Sequence, residues 1–406
     1  MNWSETNSYL KGIINNLDSL TDPIRIASFD LDDTIIHRPK KNISGEKWKL
    51  LDISIIDKIS NLAENKYLII IFSNQSGMGT GKNFDKVKWR KAMDDLSKIL
   101  VSKISSNKYY FAVYVSKDYD LYRKPNIGLW QLLKSDLKEE FNYDPKIKLR
   151  ISDKSFFVGD AAGRKSASIF KKKLYPSSSK GDFSDTDRKF AINIGITFLT
   201  PEEYFMEDAP KMDFELTGFN PKKFISDLKK NPKIDSYQFK PRKKELIMLV
   251  GFPGTGKTEF YNKYMKPYGY VHINQDICKT KNKCMEMAEK ALEKGELVVV
   301  DNTNPDVLTR MAYTTLAKKN GYKHIRAIII GTGLEIAKHL NNVRHVYSGG
   351  IIPKINDITY NIFKKNFVKP QETEHFDKIE TIDFNFDMDG LKDPVWKKIF
   401  MRLTES

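Results

Sequence analysis

Asp30 and Asp32 stand two residues apart in Ser28-Phe-Asp-Leu-Asp-Asp-Thr34, directly after an apolar run. That puts both just past the carboxyl end of an expected strand, where parallel α/β sheets hold ligands. One carboxylate can attack a phosphoryl group as nucleophile if a second supplies and removes protons. Clustered carboxylates also call for a counter-cation, and Mg²⁺ with oxygen ligands suits them. Alone, the pattern also fits a helix N-cap beside surface acids. Three later strand-end segments weigh against that reading. Ile71-Phe-Ser-Asn-Gln75 offers the Ser73 hydroxyl to a phosphate oxygen, with Asn74 beside it as a substrate contact. Arg123-Lys-Pro125 offers Lys124 as a fixed cation beside developing charge. Phe157-Val-Gly-Asp160 ends in a further candidate metal ligand, Asp160. Singly, Ser73 is a strand-end cap and Lys124 a surface cation; four such segments in order are hard to assign to chance.

A second chemistry begins at Gly251-Phe-Pro-Gly-Thr-Gly-Lys-Thr258, which satisfies G-x-x-x-x-G-K-[ST] between an apolar strand and a helical stretch. Backbone N–H groups of such a loop point at nucleotide phosphates. Gly251, Gly254, Thr255 and Gly256 are the expected cradle for ATP. Lys257 is placed to reach its β- and γ-phosphates, and Thr258 to hold Mg²⁺. A phosphate cradle alone does not separate a kinase from an ATPase. His272-Ile-Asn-Gln-Asp276 sets Asp276 near the cradle, and Val298-Val-Val-Asp-Asn302 ends a strand with Asp301 and Asn302 as acceptor-side candidates.

The elements that must position these residues alternate strand and helix signals in two blocks, the pattern of α/β domains with parallel sheets. In the first block the expected strands are Ile24–Leu31, Tyr67–Ser73, Tyr110–Ser116 and Ser155–Gly159. In the second they are Leu246–Val250, Tyr270–Ile273, Leu297–Asp301 and Ile325–Ile330. Residues 1–23 read as a lead segment, 24–212 as the first domain, 213–244 as a Pro-bearing linker and 245–406 as the second domain. The basic run Lys240–Lys244 reads as solvated linker or as a nuclear-import signal. Pro176–Gly181 is a small low-complexity loop.

The first block resembles the haloacid-dehalogenase phosphatases, and more narrowly the 3′-phosphatase domain of polynucleotide kinase/phosphatases. The likeness rests on Phe-Asp-Leu-Asp-Asp-Thr, Phe-Ser-Asn-Gln-Ser-Gly-Met-Gly, Arg-Lys-Pro, Val-Gly-Asp-Ala-Ala-Gly-Arg164, Asp182-Phe-Ser-Asp-Thr-Asp187 and Thr200-Pro-Glu-Glu-Tyr204. The resemblance implies a Rossmann-like fold and makes Asp30 the nucleophile of an aspartyl-phosphate. Asp32 becomes the general acid/base, its carbonyl also touching Mg²⁺. Ser73 and Lys124 hold the phosphoryl group, and Asp160 holds the metal. The second block resembles the 5′-kinase domain of the same family through its P-loop, Val-His-Ile-Asn-Gln-Asp276 and Val-Asp-Asn-Thr-Asn-Pro-Asp306. That likeness makes Asp276 the base for an acceptor 5′-hydroxyl, sets Lys279 against the acceptor phosphate, and makes Arg344, in Asn341-Asn-Val-Arg344, a lid arginine. Three positions depart from the family: Asp33 replaces glycine, Ser73 threonine, and Gln275 an arginine.

Together the resemblances imply an enzyme that removes 3′-phosphates and phosphorylates 5′-hydroxyls with ATP. DNA ends are the leading substrate, RNA ends the alternative, and a small-metabolite phosphatase/kinase a third. The residues before the first strand leave no room for the phosphopeptide-docking module of animal relatives. The 406-residue chain carries a formal net charge of +16, which serves solubility or a polyanion partner. No apolar run is long enough to span a membrane, and no signal peptide opens the chain. An intracellular monomer is expected, nuclear or cytoplasmic. The only two cysteines, Cys278 and Cys284, cannot form a disulfide framework and read as ordinary reduced residues.

Overall fold

The computed structural model describes residues 1–37, 48–80, 85–165, 181–206, 213–230, 237–382 and 392–405. The low-complexity loop starting at Pro176 lies outside them up to position 180. The chain divides into two units, Met1–Gly218 with Arg402–Ser406, and Phe219–Met401.

The first unit is built on a seven-stranded sheet. Its strands are β1 (Asn2–Glu5), β2 (Tyr9–Asn15), β3 (Arg25–Phe29), β4 (Tyr67–Asn74), β5 (Tyr110–Ser116), β6 (Phe156–Val158) and β7 (Thr197–Leu199). They lie in the order β1-β2-β5-β4-β3-β6-β7. From β5 to β7 every neighbour is parallel. A parallel sheet is covered on both faces, which explains the unbroken apolar runs of β4 and β5. Alternate residues feed two cores. Phe29, Ile69, Ile71, Val113 and Val115 face one; Ile26, Leu68, Ile70, Phe72 and Tyr114 face the other. Helices Ser54–Glu64 and Lys86–Leu100 cover the first face, and Gly128–Glu140 and Thr186–Ile194 the second.

Residues 1–23 are not a mere lead segment. β1 and β2 add antiparallel to the edge of the sheet, with Tyr9 opposite Ser116 and Leu10 opposite Val115. Their mixed polar and apolar sequence suits an edge and lacks the apolar run that marks the central strands.

The second unit holds a five-stranded, all-parallel sheet of β8 (Glu245–Val250), β9 (Val271–Ile273), β10 (Val298–Asp301), β11 (His324–Ile330) and β12 (Lys378–Ile382), ordered β9-β10-β8-β11-β12. Both units are therefore α/β with parallel strands at their centres. The expected linker is largely absorbed into this unit. Phe219 packs on His339 and Phe400, Pro221 opens a helix running to Lys230, and Phe239 is buried against Tyr270. Proline at the first turn starts a helix as readily as it punctuates a linker. The basic run is likewise docked: Arg242 pairs with Asp377, and the Lys240 carbonyl accepts from Arg326. Conversely, residues 402–405 belong to the first unit rather than to the expected second domain. Among the described residues no helix is long and apolar enough to cross a membrane.

Candidate active sites

In the first unit the predicted residues converge at the carboxyl ends of β3, β4 and β6. Asp30 follows β3, and its N–H donates to the Val158 carbonyl at the end of β6 (2.8 Å). Lys124 is buried, and its Nζ bridges Asp30 Oδ1 (2.6 Å) and Asp187 Oδ1 (2.7 Å). One ligand atom from each of Asp30, Asp160 and Asp187 falls within a 4.8 Å cluster. Burial pushes the Asp30 carboxyl up, Lys124 pulls it back, and Asp187 and Asp32 add to the rise. Burial, then Asp187, Asp30 and Asp33, push Asp160 well above the carboxylate range. Burial alone would lower Lys124, but Asp187 and Asp30 outweigh it and hold the ammonium charged. One lysine does not offset this crowd of acids. An oxygen-only set of three close carboxylates fits a hard divalent cation such as Mg²⁺.

Asp187 is the ligand candidate that sequence reasoning missed. It sits in the first turn of helix Thr186–Ile194, within a motif already associated with the family but carrying no assigned role. Gly159 makes room for it: a Cβ there would lie 2.4 Å from Asp187 Oδ2. Arg164 braces the Asp160 loop by pairing with Asp182 (2.7 Å) and Glu202 (2.6 Å) and donating to the Asp160 carbonyl (3.1 Å). Asp32 meets Gln75, whose Nε2 donates to Asp32 Oδ2 (2.5 Å) and to Ser73 Oγ (2.9 Å). Gln75 thus joins the acid/base candidate to the phosphate-holding hydroxyl, a link its place two residues after Ser73 could have suggested. Asn74, expected on substrate, instead clamps the Lys124 backbone, donating to its carbonyl (3.1 Å) and accepting its N–H (2.9 Å). Asp33 has a left-handed backbone, φ 54°, a conformation that glycine adopts at least cost. Its carboxylate is half exposed and meets His37 Nδ1 (2.8 Å).

In the second unit the glycine-rich loop joins β8 to helix Lys257–Tyr264. Gly254 and Gly256 take φ of 78° and 87°, conformations that favour glycine. A Cβ on Gly254 would lie 3.2 Å from the Ala337 carbonyl, so the loop is pressed against helix Leu334–Tyr347. That helix carries Arg344, whose Nη2 donates to Asn341 (3.3 Å) and whose buried Nε–H meets no acceptor among the described residues. Lys257 Nζ turns onto the loop carbonyls of Gly251 (2.9 Å) and Phe252 (2.6 Å), and burial holds its pKa down to about 8 against the pull of Asp301.

Thr258 Oγ1 donates to Asp301 Oδ2 (2.7 Å), which also meets His272 Nε2 (2.9 Å) and Asn274 Nδ2 (3.1 Å). Burial would raise Asp301, yet the bonds from His272 and Thr258 hold it below the usual carboxylate range. Asp301 therefore lies beside the hydroxyl expected to hold metal rather than on the acceptor side. Asn302 accepts the Gln275 N–H (2.9 Å), and Asn274 accepts the Asp276 N–H (2.8 Å). These bonds fix short helix Gln275–Cys278, on which Asp276 is exposed at the end of β9. Lys279 Nζ folds back onto the Asp276 carbonyl (2.7 Å). Asn304 was missed. It is buried, and its amide donates to the Leu249 (2.7 Å) and Val300 (3.2 Å) carbonyls, tying β8 to β10.

The polynucleotide kinase 3 phosphatase family matches residues 25–205, and an AAA domain family matches residues 246–351. A protein of Acanthamoeba polyphaga mimivirus, provisionally named a bifunctional polynucleotide phosphatase/kinase, is 60% identical over 100% of this chain and 95% of its own length. The bifunctional polynucleotide phosphatase/kinase of Schizosaccharomyces pombe is 31% identical over 94% of this chain and 84% of its own. The chain belongs to the bifunctional polynucleotide phosphatase/kinases. The first unit is accordingly its phosphatase unit and the second its kinase unit. The polynucleotide 3′-phosphatase ZDP of Arabidopsis thaliana is 36% identical over 47% of this chain and 25% of its own length. The matched phosphatase range includes Asp30, Asp32, Ser73, Lys124, Asp160 and Asp187; the kinase range includes the P-loop, Asp276, Asp301 and Arg344.

Proposed function

We propose that this bifunctional polynucleotide phosphatase/kinase heals DNA ends at strand breaks, removing 3′-phosphates through an aspartyl-phosphate and phosphorylating 5′-hydroxyls with ATP. The observation that carries the first reaction is the Lys124 ammonium spanning Asp30 and Asp187 at the strand ends. Asp30 attacks the phosphorus of a terminal 3′-phosphate while Asp32 gives its proton to the departing 3′-oxygen. Asp32 then takes a proton from the water that hydrolyses the acyl phosphate. Lys124 and the Ser73 hydroxyl hold the phosphoryl oxygens, and Gln75 keeps Asp32 and Ser73 in register. Mg²⁺, when held by Asp30, Asp160 and Asp187 with the Asp32 carbonyl, supplies neutralising charge for the phosphate.

In the kinase unit Asp276 accepts the proton of the attacking 5′-hydroxyl. Backbone N–H groups of the P-loop and Lys257 stabilise the ATP phosphates, and Arg344 neutralises charge on the transferred group. Thr258 and Asp301 are the residues for Mg²⁺ there. The net charge of +16 supports a polyanionic substrate.

The test is an assay of both reactions on matched DNA and RNA oligonucleotides, nicked, gapped and single-stranded. DNA turnover above RNA turnover at both ends is expected. Equal or greater RNA turnover would move the enzyme to RNA repair, and activity on free nucleotides alone would make it metabolic.

A further inference from the structure

Lys124 and Asp187 come from different parts of the chain, and their meeting depends on what holds the Arg123–Pro125 turn against helix Thr186–Ile194. One face of that helix buries Phe190 on Phe72 and Phe157. On its other side two polar side chains reach segment 403–405, beyond the kinase unit in sequence but packed in the phosphatase unit. Asn193 Nδ2 donates to the Leu403 carbonyl (2.8 Å) and to the Pro125 carbonyl (2.9 Å), while its Oδ1 accepts the Leu403 N–H (2.8 Å). Lys189 is fully buried, and its Nζ donates to the Thr404 carbonyl (2.9 Å), the Thr217 carbonyl (2.8 Å) and Asp185 (2.9 Å). Glu405 takes two guanidinium donors of Arg123, Nε at 3.2 Å and Nη2 at 3.2 Å, and Arg123 also stacks on Tyr119.

The short segment thus grips both chain neighbours of Lys124, Arg123 through Glu405 and Pro125 through Asn193. It also grips the helix that presents Asp187. We infer that residues 403–405 are a positioning strap of the phosphatase site, holding Lys124 and Asp187 at the spacing that lets one ammonium span Asp30 and Asp187. Leu403 and Thr404 are buried, so the segment is packed in place and not merely laid along the surface. Partly buried, bidentate and backbone-directed bonds keep geometry better than exposed ion pairs. A 1 Å misplacement of a positioned group can cost about 10²-fold in rate. The inference rests on the proposed roles of Lys124 and Asp187.

The experiment uses the full chain, the same chain lacking residues 402–406, and the single variants Asn193→Ala and Glu405→Ala. Each is assayed for both activities in one preparation across a Mg²⁺ titration. Deletion is expected to lower the 3′-phosphatase kcat at least tenfold, raise the Mg²⁺ needed for half-maximal rate, and leave kinase turnover unchanged. Asn193→Ala is expected to do the same more mildly. A synthetic peptide of residues 396–406 should restore phosphatase kcat to the deleted chain. Unchanged phosphatase kcat in the deletion overturns the inference. So does a loss that Asn193→Ala and Glu405→Ala do not share and that the peptide does not restore, since that pattern marks folding alone. An unaltered chain without 3′-phosphatase activity would instead sink the proposed function.

Discussion

Thr258, in the first turn of helix Lys257–Tyr264, and Asp301, at the carboxyl end of β10, are joined hydroxyl to carboxylate at 2.7 Å. Asp301 was expected among the substrate-binding residues; this bond puts it beside the P-loop hydroxyl proposed to hold metal. Asp301→Asn is therefore expected to lower kinase turnover by about 10²-fold or more, the cost of one charge-stabilising group. Raising Mg²⁺ should recover part of it. The check is a Mg²⁺ titration of 5′-phosphorylation; an unshifted titration would free Asp301 from this role.

The two reactions should separate by mutation. Asp30→Asn removes the proposed nucleophile of one site only, so 3′-phosphatase activity is expected to vanish while kinase turnover stays within about twofold. Lys257→Ala should do the reverse, losing the cation at the β- and γ-phosphates. Loss of both activities from either change, in protein that melts normally, would count against two independent sites.

Asp276 tests the base assignment. It is exposed and its helix is pinned through Asn274 and Asn302, so Asp276→Asn keeps shape and loses basicity. ATP affinity should hold while turnover falls by about 10²–10⁴-fold. Calorimetric ATP binding and turnover measured on the same sample decide it. Failure of both would make Asp276 a structural cap.

Asp187→Asn should mimic loss of a metal ligand in the phosphatase alone. It leaves the amide able to accept from Lys124 but removes a charge from the Asp30–Asp160–Asp187 cluster. The Mg²⁺ concentration for half-maximal dephosphorylation should rise about tenfold or more, since a ligand's charge is lost. An unmoved midpoint would take Asp187 out of the metal set.

His339 is expected to make the kinase unit acid-sensitive. Its ring packs between Phe219 and Phe400, bonds to the Phe400 carbonyl, and is pushed by burial down to about 4. The unfolded chain binds that proton near pH 6.5, the folded chain only near 4, so stability is full above 6.5 and lost as pH falls toward 4. The loss approaches about 3 kcal/mol. Thermal unfolding followed from pH 7 to pH 5 should show the slope, and His339→Gln should flatten it. Equal slopes would give the acid sensitivity to other groups.

The central strands were legible because burial on both faces writes itself as unbroken apolar sequence, as in Tyr110–Ser116. β1, β2 and β12 were not: β1 and β12 are edge strands paired on one side only, and β2, between β1 and β5, carries a mixed polar and apolar sequence without an unbroken apolar run. Asp30, Asp160 and the P-loop were legible as residues that follow the ends of buried strands. Asp187 was not, because its helix reaches the cluster only through the packing of Phe190 and the absence of a side chain on Gly159. Asn74 and Asp301 have the right residue types in the right places, but which partner each bonds is set by three-dimensional neighbours.

Residues 402–405 sit in the phosphatase unit although the whole kinase unit precedes them in sequence. A ribosome builds the chain from its amino end, at about 5–20 residues per second, and domains generally fold as they emerge. The phosphatase unit therefore stays short of its last contacts through the entire translation of the kinase, some ten seconds or more on that scale. Arg123, Lys189 and Asn193 wait for partners that leave the exit tunnel only after the P-loop and its sheet have been made. Completion of the phosphatase unit is thus timed by residues made after the kinase unit, and a chain abandoned midway through the kinase leaves the phosphatase without them.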